Sequence, residues 1–451
     1  MAGACGKLGI VDAGYQETVI AAMRDLLITC IVLIGCLYTL KKPYIGILLW
    51  SWLSYMNPHR LSYGFAYSMP FAQITAITLF VSMLFSKEKN KIPINSITVI
   101  WMFFVLFMGI TTIFAYFPDA AMEYYVRIIK IQLVTFLTMI LITDMSKLKQ
   151  LLWVIVFSIG FFSVKGGFFT IMTAGGYRVW GPAESFIADN NALAVAVLMT
   201  IPLMVYLYQI ATNKWIKYGL VGSSVLSLFT IIGSNSRGAF LAIVAIGLTY
   251  WLKSKNKLGT GIFIAVLAFS LLSFAPESWY NRMNTIENHE EDASAVGRIN
   301  AWWYAFNAAN DNLLGVGLNS WSPETFALYA PEPSDVHAAH SIYFSVLADH
   351  GWIGLGMFLT IFLLTWLKLK SIIKKTEKNP DAKEIYLLAK MLQISLMAYF
   401  VGGAFLSLSY FDLPWHLVSF VVLIERFYTE QSSVNSVKQA PSQFPTTPRS
   451  K

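Results

Sequence analysis

Between residues 25 and 427 apolar stretches recur with short polar connections between them, and little in the chain has the alternation of a half-buried strand. The stretches fall at about 25–40, 43–56, 71–85, 97–117, 128–143, 151–173, 192–210, 216–232, 239–252 and 260–274. After a long polar segment come 352–367, 385–408 and 413–427. A straight crossing of a bilayer takes about 20 residues, so the pattern predicts an all-α polytopic bundle of roughly 12–13 transmembrane helices, some of them short. Composition agrees, with 56% hydrophobic and 13% charged residues and a mean hydropathy of +0.57. A soluble core is excluded.

The expected organisation is an N-terminal extension at 1–22, transmembrane helices over 23–274 and one large loop over 275–339. A helix and the last transmembrane segments follow over 340–427, and residues 428–451, rich in Ser, Gln, Pro and Thr, read as a disordered cytoplasmic tail. The first 22 residues lack the apolar run of a cleavable signal peptide. Cys5, Cys30 and Cys36 have no metal spacing, and no metal or other cofactor is expected.

The net charge of +8 would suit nucleic acid in a soluble protein, but here the lysines fall in alternate connections. Lys41 and Lys42, Lys87 to Lys91, Lys147 and Lys149, Lys214 and Lys217, Lys253 to Lys257, and the run over 368–383 mark the cytoplasmic side. The connections at 57–70, 118–127, 175–191, 233–238, 275–340 and 409–416 then face outward. Arginine follows another rule. Arg60, Arg127, Arg178, Arg237, Arg282 and Arg298 all lie in outward connections, whereas Arg426 and Arg449 are cytoplasmic.

A guanidinium presents a rigid fork of donors that matches phosphate oxygens and stays charged where water is scarce. Any one of these arginines reads equally well as an interfacial residue paired with local carbonyls. Arg237 stands out, because GSNSRGAF is a very short turn of small residues with no acid nearby. Arg178 follows two glycines in GGYRVWGP, and Arg298 opens the helical-looking RINAWWYAFNAA of the large loop. Together they point to a diphosphate. Lys165, in an apolar span, and Lys130 do not fit the cytoplasmic set and join the candidates. The acidic run Glu287, Glu290, Glu291 and Asp292 reads as solvated charge.

The segment SDVHAAHSIYFSVLADHGWIGLG at 334–356 sets two histidines where the polar loop meets an apolar run. A lone HxxH is weak evidence for metal. An imidazole at this position suits a general base that takes a proton from a hydroxyl.

SRGA at 236–239, GRINAWWYA followed by NLLGVGLNS, and HSIYFSVLADHGWIGL from 340 resemble, in that order, the O-antigen ligase and polymerase superfamily. MRDLL, NPHRLSYGFAYSMPFAQ and RVWGPAESFIADNNALA resemble more narrowly its exosortase-associated O-glycosylation ligase branch. The resemblance implies a GT-C-like fold and metal-independent, inverting transfer of a glycan from undecaprenyl diphosphate. The acceptor is a hydroxyl of a lipid A core sugar or a protein, at the periplasmic face of the bacterial inner membrane. It places the base on His340 and the diphosphate on Arg237 and Arg298, with Arg178 belonging to the narrower branch pattern; Lys165 and Lys130 stay candidates on their position alone. His337, Tyr343 and Asn190 are expected in support. Most relatives carry Asn and Glu where this chain has Ser341 and Asp349. A polymerase using a second lipid-linked glycan is the alternative, and a lipid-glycan transporter a more distant one.

Overall fold

A computed structural model describes residues 4–86, 91–254, 256–273, 279–280 and 293–439. Lys87, Lys89, Lys255, Arg282, Arg449 and the acidic run at 287–292 lie outside the described residues. Fifteen α-helices follow one another among them: α1 (Ala4–Lys41), α2 (Tyr44–Met56), α3 (Phe71–Phe85), α4 (Ser96–Ile113), α5 (Pro118–Leu141), α6 (Met145–Met172), α7 (Asn190–Ile210), α8 (Lys214–Gly233), α9 (Arg237–Lys253), α10 (Lys257–Ser273), α11 (Ala293–Asp311), α12 (Pro323–Tyr329), α13 (Ile342–Thr376), α14 (Lys383–Gly403) and α15 (Asp412–Gln439). The chain is an all-α, multi-pass membrane protein. Among the described residues eight helices are long and apolar enough to cross a bilayer: α4 to α8, α13, the Ala22–Lys41 part of α1, and Pro380–Gly403, which contains α14. Four shorter apolar helices lie in α2, α3, α9 and α10. The reckoning of 12–13 spans therefore mixes full-length and short helices. The stretch from 428 read as a disordered tail is helical as far as Gln439, and residues 440–451 lie outside the described set.

Polar side chains at the connections start several helices. Asn95 and Thr98 form a capping box at α4, Asp144 accepts from Lys147 N at α6, and Asn213 accepts from Trp215 N at α8. At α7 and α9 the caps are Asp189 and Ser236.

In lipid no hydrophobic gain draws helices together, so packing rests on close contact and on internal hydrogen bonds. α7 is buried on nearly every side from Ala192 to Leu207, against α6, α8, α9 and α14. Trp415 of α15 stacks on Trp101 at 5.2 Å, and the Trp101 indole donates to Gln132 Oε1 at 2.6 Å. Where α6 crosses α8 there is no room for a side chain at Gly167, whose Cβ would overlap the Leu226 carbonyl. On the lysine-rich face Lys149 pairs with Glu384 at 3.1 Å and Lys368 with Glu425 at 2.6 Å. Arg426 donates to the Met139 and Ile142 carbonyls at the end of α5.

The opposite face is covered by α11 and α12. Tyr304 stacks on Phe326 at 4.4 Å, within a cluster that includes Ala301, Ala305, Val316 and Ala348. The GVG turn after α11 docks on α13: Val316 N donates to Ala348 O at 2.8 Å. α13 kinks at Gly351, which has a φ of 63°, a conformation that L side chains resist. A Cβ on Gly351 would also lie 2.5 Å from the Leu313 carbonyl. Gly351→Ala should cost about 2–3 kcal/mol, from left-handed strain plus that overlap. Gly356 lies further along the same helix with open space around it. Gly356→Ala should be neutral or stabilising, and thermal unfolding of the two variants in detergent checks the contrast.

Candidate functional site

Three of the connections between helices meet on the arginine-bearing face. The α8–α9 turn is tight, with Asn235 at a φ of 55°. Asn190, the first residue of α7, donates from Nδ2 to Ser234 O at 2.6 Å, and Val179 N donates to Gly233 O at 3.0 Å. Thus the 173–189 loop and α7 both hold the turn. Ser236 caps α9 by accepting from Ala239 N at 3.2 Å, so Arg237 begins the helix. The adjacent Gly238 lies close to Phe405, where an added Cβ would come within 3.3 Å of the ring-bearing Cβ.

Arg237 and Arg298, distant in sequence with α9 and α10 between them, line one small crevice with Asn191, Ser236 and Leu406. Both are half-buried. Two guanidinium groups thus share a crevice with the first turns of α7 and α9, whose backbone dipoles favour negative charge.

His340 stands directly before the N-cap of α13, with a φ of 42° that is unusual for any residue other than glycine. The surroundings enforce it. Trp302 of α11 donates from Nε1 to Ala339 O at 2.8 Å and stacks on Phe344 at 5.0 Å and 9°. Asn300 donates to the Glu332 and Asp335 carbonyls at 2.8 and 2.9 Å, and accepts from Glu332 N. Helix α11 thus carries Arg298 and also anchors the histidine segment. Burial lowers the His340 pKa from its ordinary 6.5, and the Arg298 charge lowers it further; Asp189 acts in the opposite sense and His337 depresses it slightly. His340 is therefore neutral at neutral pH and lies within electrostatic reach of Arg298 and of the Asp189 cap next to the crevice.

The remaining expected residues divide. Asn190 is buried and its amide holds the turn below Arg237. His337 is exposed, pairs with Asp335 at 2.8 Å, and lies against Gly297 next to Arg298. Tyr343 donates to Phe400 O of α14 at 3.0 Å. Arg178 is exposed in the loop whose next residue, Val179, bonds the α8 terminus. The two lysines do not join the arginine crevice. Lys165 is exposed at an apolar groove of about 820 Å³ between α6 and α8, flanked by Phe157, Phe161 and Trp215. Lys130 lines a separate pocket with Arg127 and Asp412.

Sequence reasoning missed a buried polar cluster. Tyr410 donates to Asp349 Oδ2 at 2.8 Å and meets His350 Nε2 at 2.9 Å, and the other ring nitrogen of His350 lies 2.6 Å from the Thr111 hydroxyl. The visible signal was the DHG triplet at 349–351, but its partners on α4 and before α15 are distant in sequence.

Residues 23–212 match a family of unknown function (DUF5935), and residues 222–359 match the O-antigen ligase family. No curated protein matches the chain. Arg237, Arg298 and His340 all fall in the second matched region, while Arg178, Lys130, Lys165 and Asn190 fall in the first. The ligase-family region spans both crevice arginines and the histidine segment, so residues 222–359 of the chain are similar to the O-antigen ligase family.

Proposed function

We propose that the protein is an O-antigen-ligase-like glycosyltransferase. It moves a glycan from undecaprenyl diphosphate to an acceptor hydroxyl, a lipid A core sugar or a protein side chain, at the periplasmic face of a bacterial inner membrane. One observation carries the reading: Arg237 and Arg298 share a crevice, and a neutral histidine lies within the electrostatic reach of Arg298. The family match supports it.

In this mechanism His340 accepts the proton of the acceptor hydroxyl as its oxygen bonds to the anomeric carbon. The bond from that carbon to the diphosphate oxygen breaks with its electron pair, and configuration inverts. Negative charge grows on the diphosphate, where Arg237 and Arg298 donate more strongly than in the ground state. The proton on His340 then passes to water. The charge is met by fixed guanidinium groups, so the reading is metal-independent.

The test is transfer from a lipid-linked glycan by the purified protein in lipid nanodiscs with a chelator present. Activity should survive the chelator, and strict dependence on an added divalent ion would overturn the arginine account. Arg237→Gln and Arg298→Gln should each lower kcat by about 10²–10³, the effect of removing one donor to a developing anion. A single added block supports the ligase reading, whereas a ladder of products assigns the polymerase alternative.

His340→Ala and His340→Gly should both abolish transfer. Glycine accepts the left-handed backbone at 340 without strain, so His340→Gly should leave the thermal midpoint at or above that of the wild type. Loss of activity with intact folding separates a chemical role from a structural one; wild-type rates in either variant would refute the base.

A base with a depressed pKa stays deprotonated to lower pH. The acid limb of the kcat/KM profile should therefore lie below the usual histidine value of about 6.5. Asp189 raises the His340 pKa, so Asp189→Asn, which retains a side-chain oxygen for the α7 cap, should move that limb lower still. An upward move would contradict the assignment.

A further inference from the structure

A second pocket opens on the arginine-bearing face, set apart from the crevice by the short connections 184–191 and 404–412. Phe405 and Leu406 line the crevice, while Phe411 and Asp412 line this pocket. Its volume of about 210 Å³ is below the roughly 300 Å³ at which drug-sized sites begin, and suits one small ring. Trp50, Phe186 and Phe411 supply apolar wall.

The polar groups are unevenly satisfied. Glu184 is committed, with Arg60 at 2.7 Å and the Tyr67 hydroxyl at 3.0 Å. Asp412 is 4% exposed, lines the pocket, and accepts from the Ser54 hydroxyl through Oδ2. His59 lines the pocket with a buried Nδ1 that has no hydrogen-bond partner among the described residues. Arg127 lies over the Phe186 ring at 4.3 Å, and among the described residues neither it nor Lys130 is bonded to a carboxylate. The pocket thus offers aromatic wall, hydroxyl acceptors at its floor, and two cations with unfilled donors. An anion alone would leave Asp412 opposed to it. A neutral sugar would leave the cations unused.

We propose that this pocket is a second saccharide subsite, which takes a sugar residue carrying an anionic group such as a carboxylate or a phosphate ester. Sugar hydroxyls donate to Asp412 and meet His59 Nδ1, and the anionic group lies on Lys130 and Arg127. That the ligand is a saccharide rests on the glycosyltransferase reading; that it is anionic rests on the pocket. Such a residue can belong to the donor glycan or to the acceptor.

The test is calorimetric titration of the full chain in nanodiscs with methyl β-D-glucuronide, methyl β-D-glucoside and inorganic phosphate. The glucuronide should bind about tenfold more tightly than the glucoside, the scale of one charge-assisted hydrogen bond. Lys130→Gln and Arg127→Gln, both at exposed side chains, should each remove most of that preference, and Asp412→Asn should weaken both sugars. Arg237→Gln should leave glucuronide binding unchanged even where transfer is lost, so failure of the crevice reading and failure of this one are told apart. In a transfer assay the glucuronide should inhibit, competing with the acceptor if that carries the anionic sugar and with the lipid donor if the donor does. Equal binding of the two glycosides would overturn the proposal, as would unchanged preference in Lys130→Gln. Displacement of the glucuronide by phosphate at equal concentration would make the pocket a simple anion site and overturn it too.

Discussion

The hydrogen bond from Asn190 Nδ2 to Ser234 O, 2.6 Å long and buried, ties the first turn of α7 to the turn between α8 and α9. In a membrane protein a short connection between two apolar helices has few side chains with which to satisfy its own carbonyls, and an unmet one is costly. Asn190 meets the need at Ser234, and Val179 N does so at Gly233. With the turn fixed, Arg237 begins α9 at a set position, where it lines the crevice. Asp189, which caps α7 one residue earlier, lies within electrostatic range of His340. One anchored turn thus relates the two halves of the candidate site.

The other half depends on α11. The helix supplies Arg298, and its Trp302 and Asn300 hold the backbone from Glu332 to Ala339, so that His340 emerges in a strained left-handed conformation. Strain of this kind costs about 1–3 kcal/mol and persists only where neighbours over-determine it. Here they do, through hydrogen bonds to the preceding carbonyls and the stacking of Trp302 on Phe344. Burial, and after it the cation that would bind a leaving group, lowers the pKa of the nearby imidazole, which joins the two roles by charge.

Much of the fold was legible because membrane crossing imposes a coarse rule: apolar length predicts helices, and the lysine alternation predicts their succession. The crevice was legible in part. Arg237 and Arg298 carried signals of residue type and position, since arginine gathers in lysine-poor connections. The separation of Lys130 and Lys165 from them was not visible, because the neighbours that a side chain meets depend on how its helix packs in the bundle. The same limit hid Asp349, His350 and Tyr410, whose bonds close across long sequence separations. The predicted end of structure near 428 failed for a simpler reason. Its polar residues carry α15 onward as helix to Gln439, with hydrogen bonds such as Ser432 Oγ to Tyr428 O at 2.8 Å.

The central claim is that Arg237 and Arg298 grip the same diphosphate beside His340. A structure of the protein with a non-transferable undecaprenyl diphosphate sugar analogue tests it most directly. The account predicts diphosphate oxygens within about 3 Å of both guanidinium groups, with the anomeric carbon on the side of His340. A diphosphate seated instead at Lys165 in the α6–α8 groove, or in the Arg127 and Lys130 pocket, would contradict it.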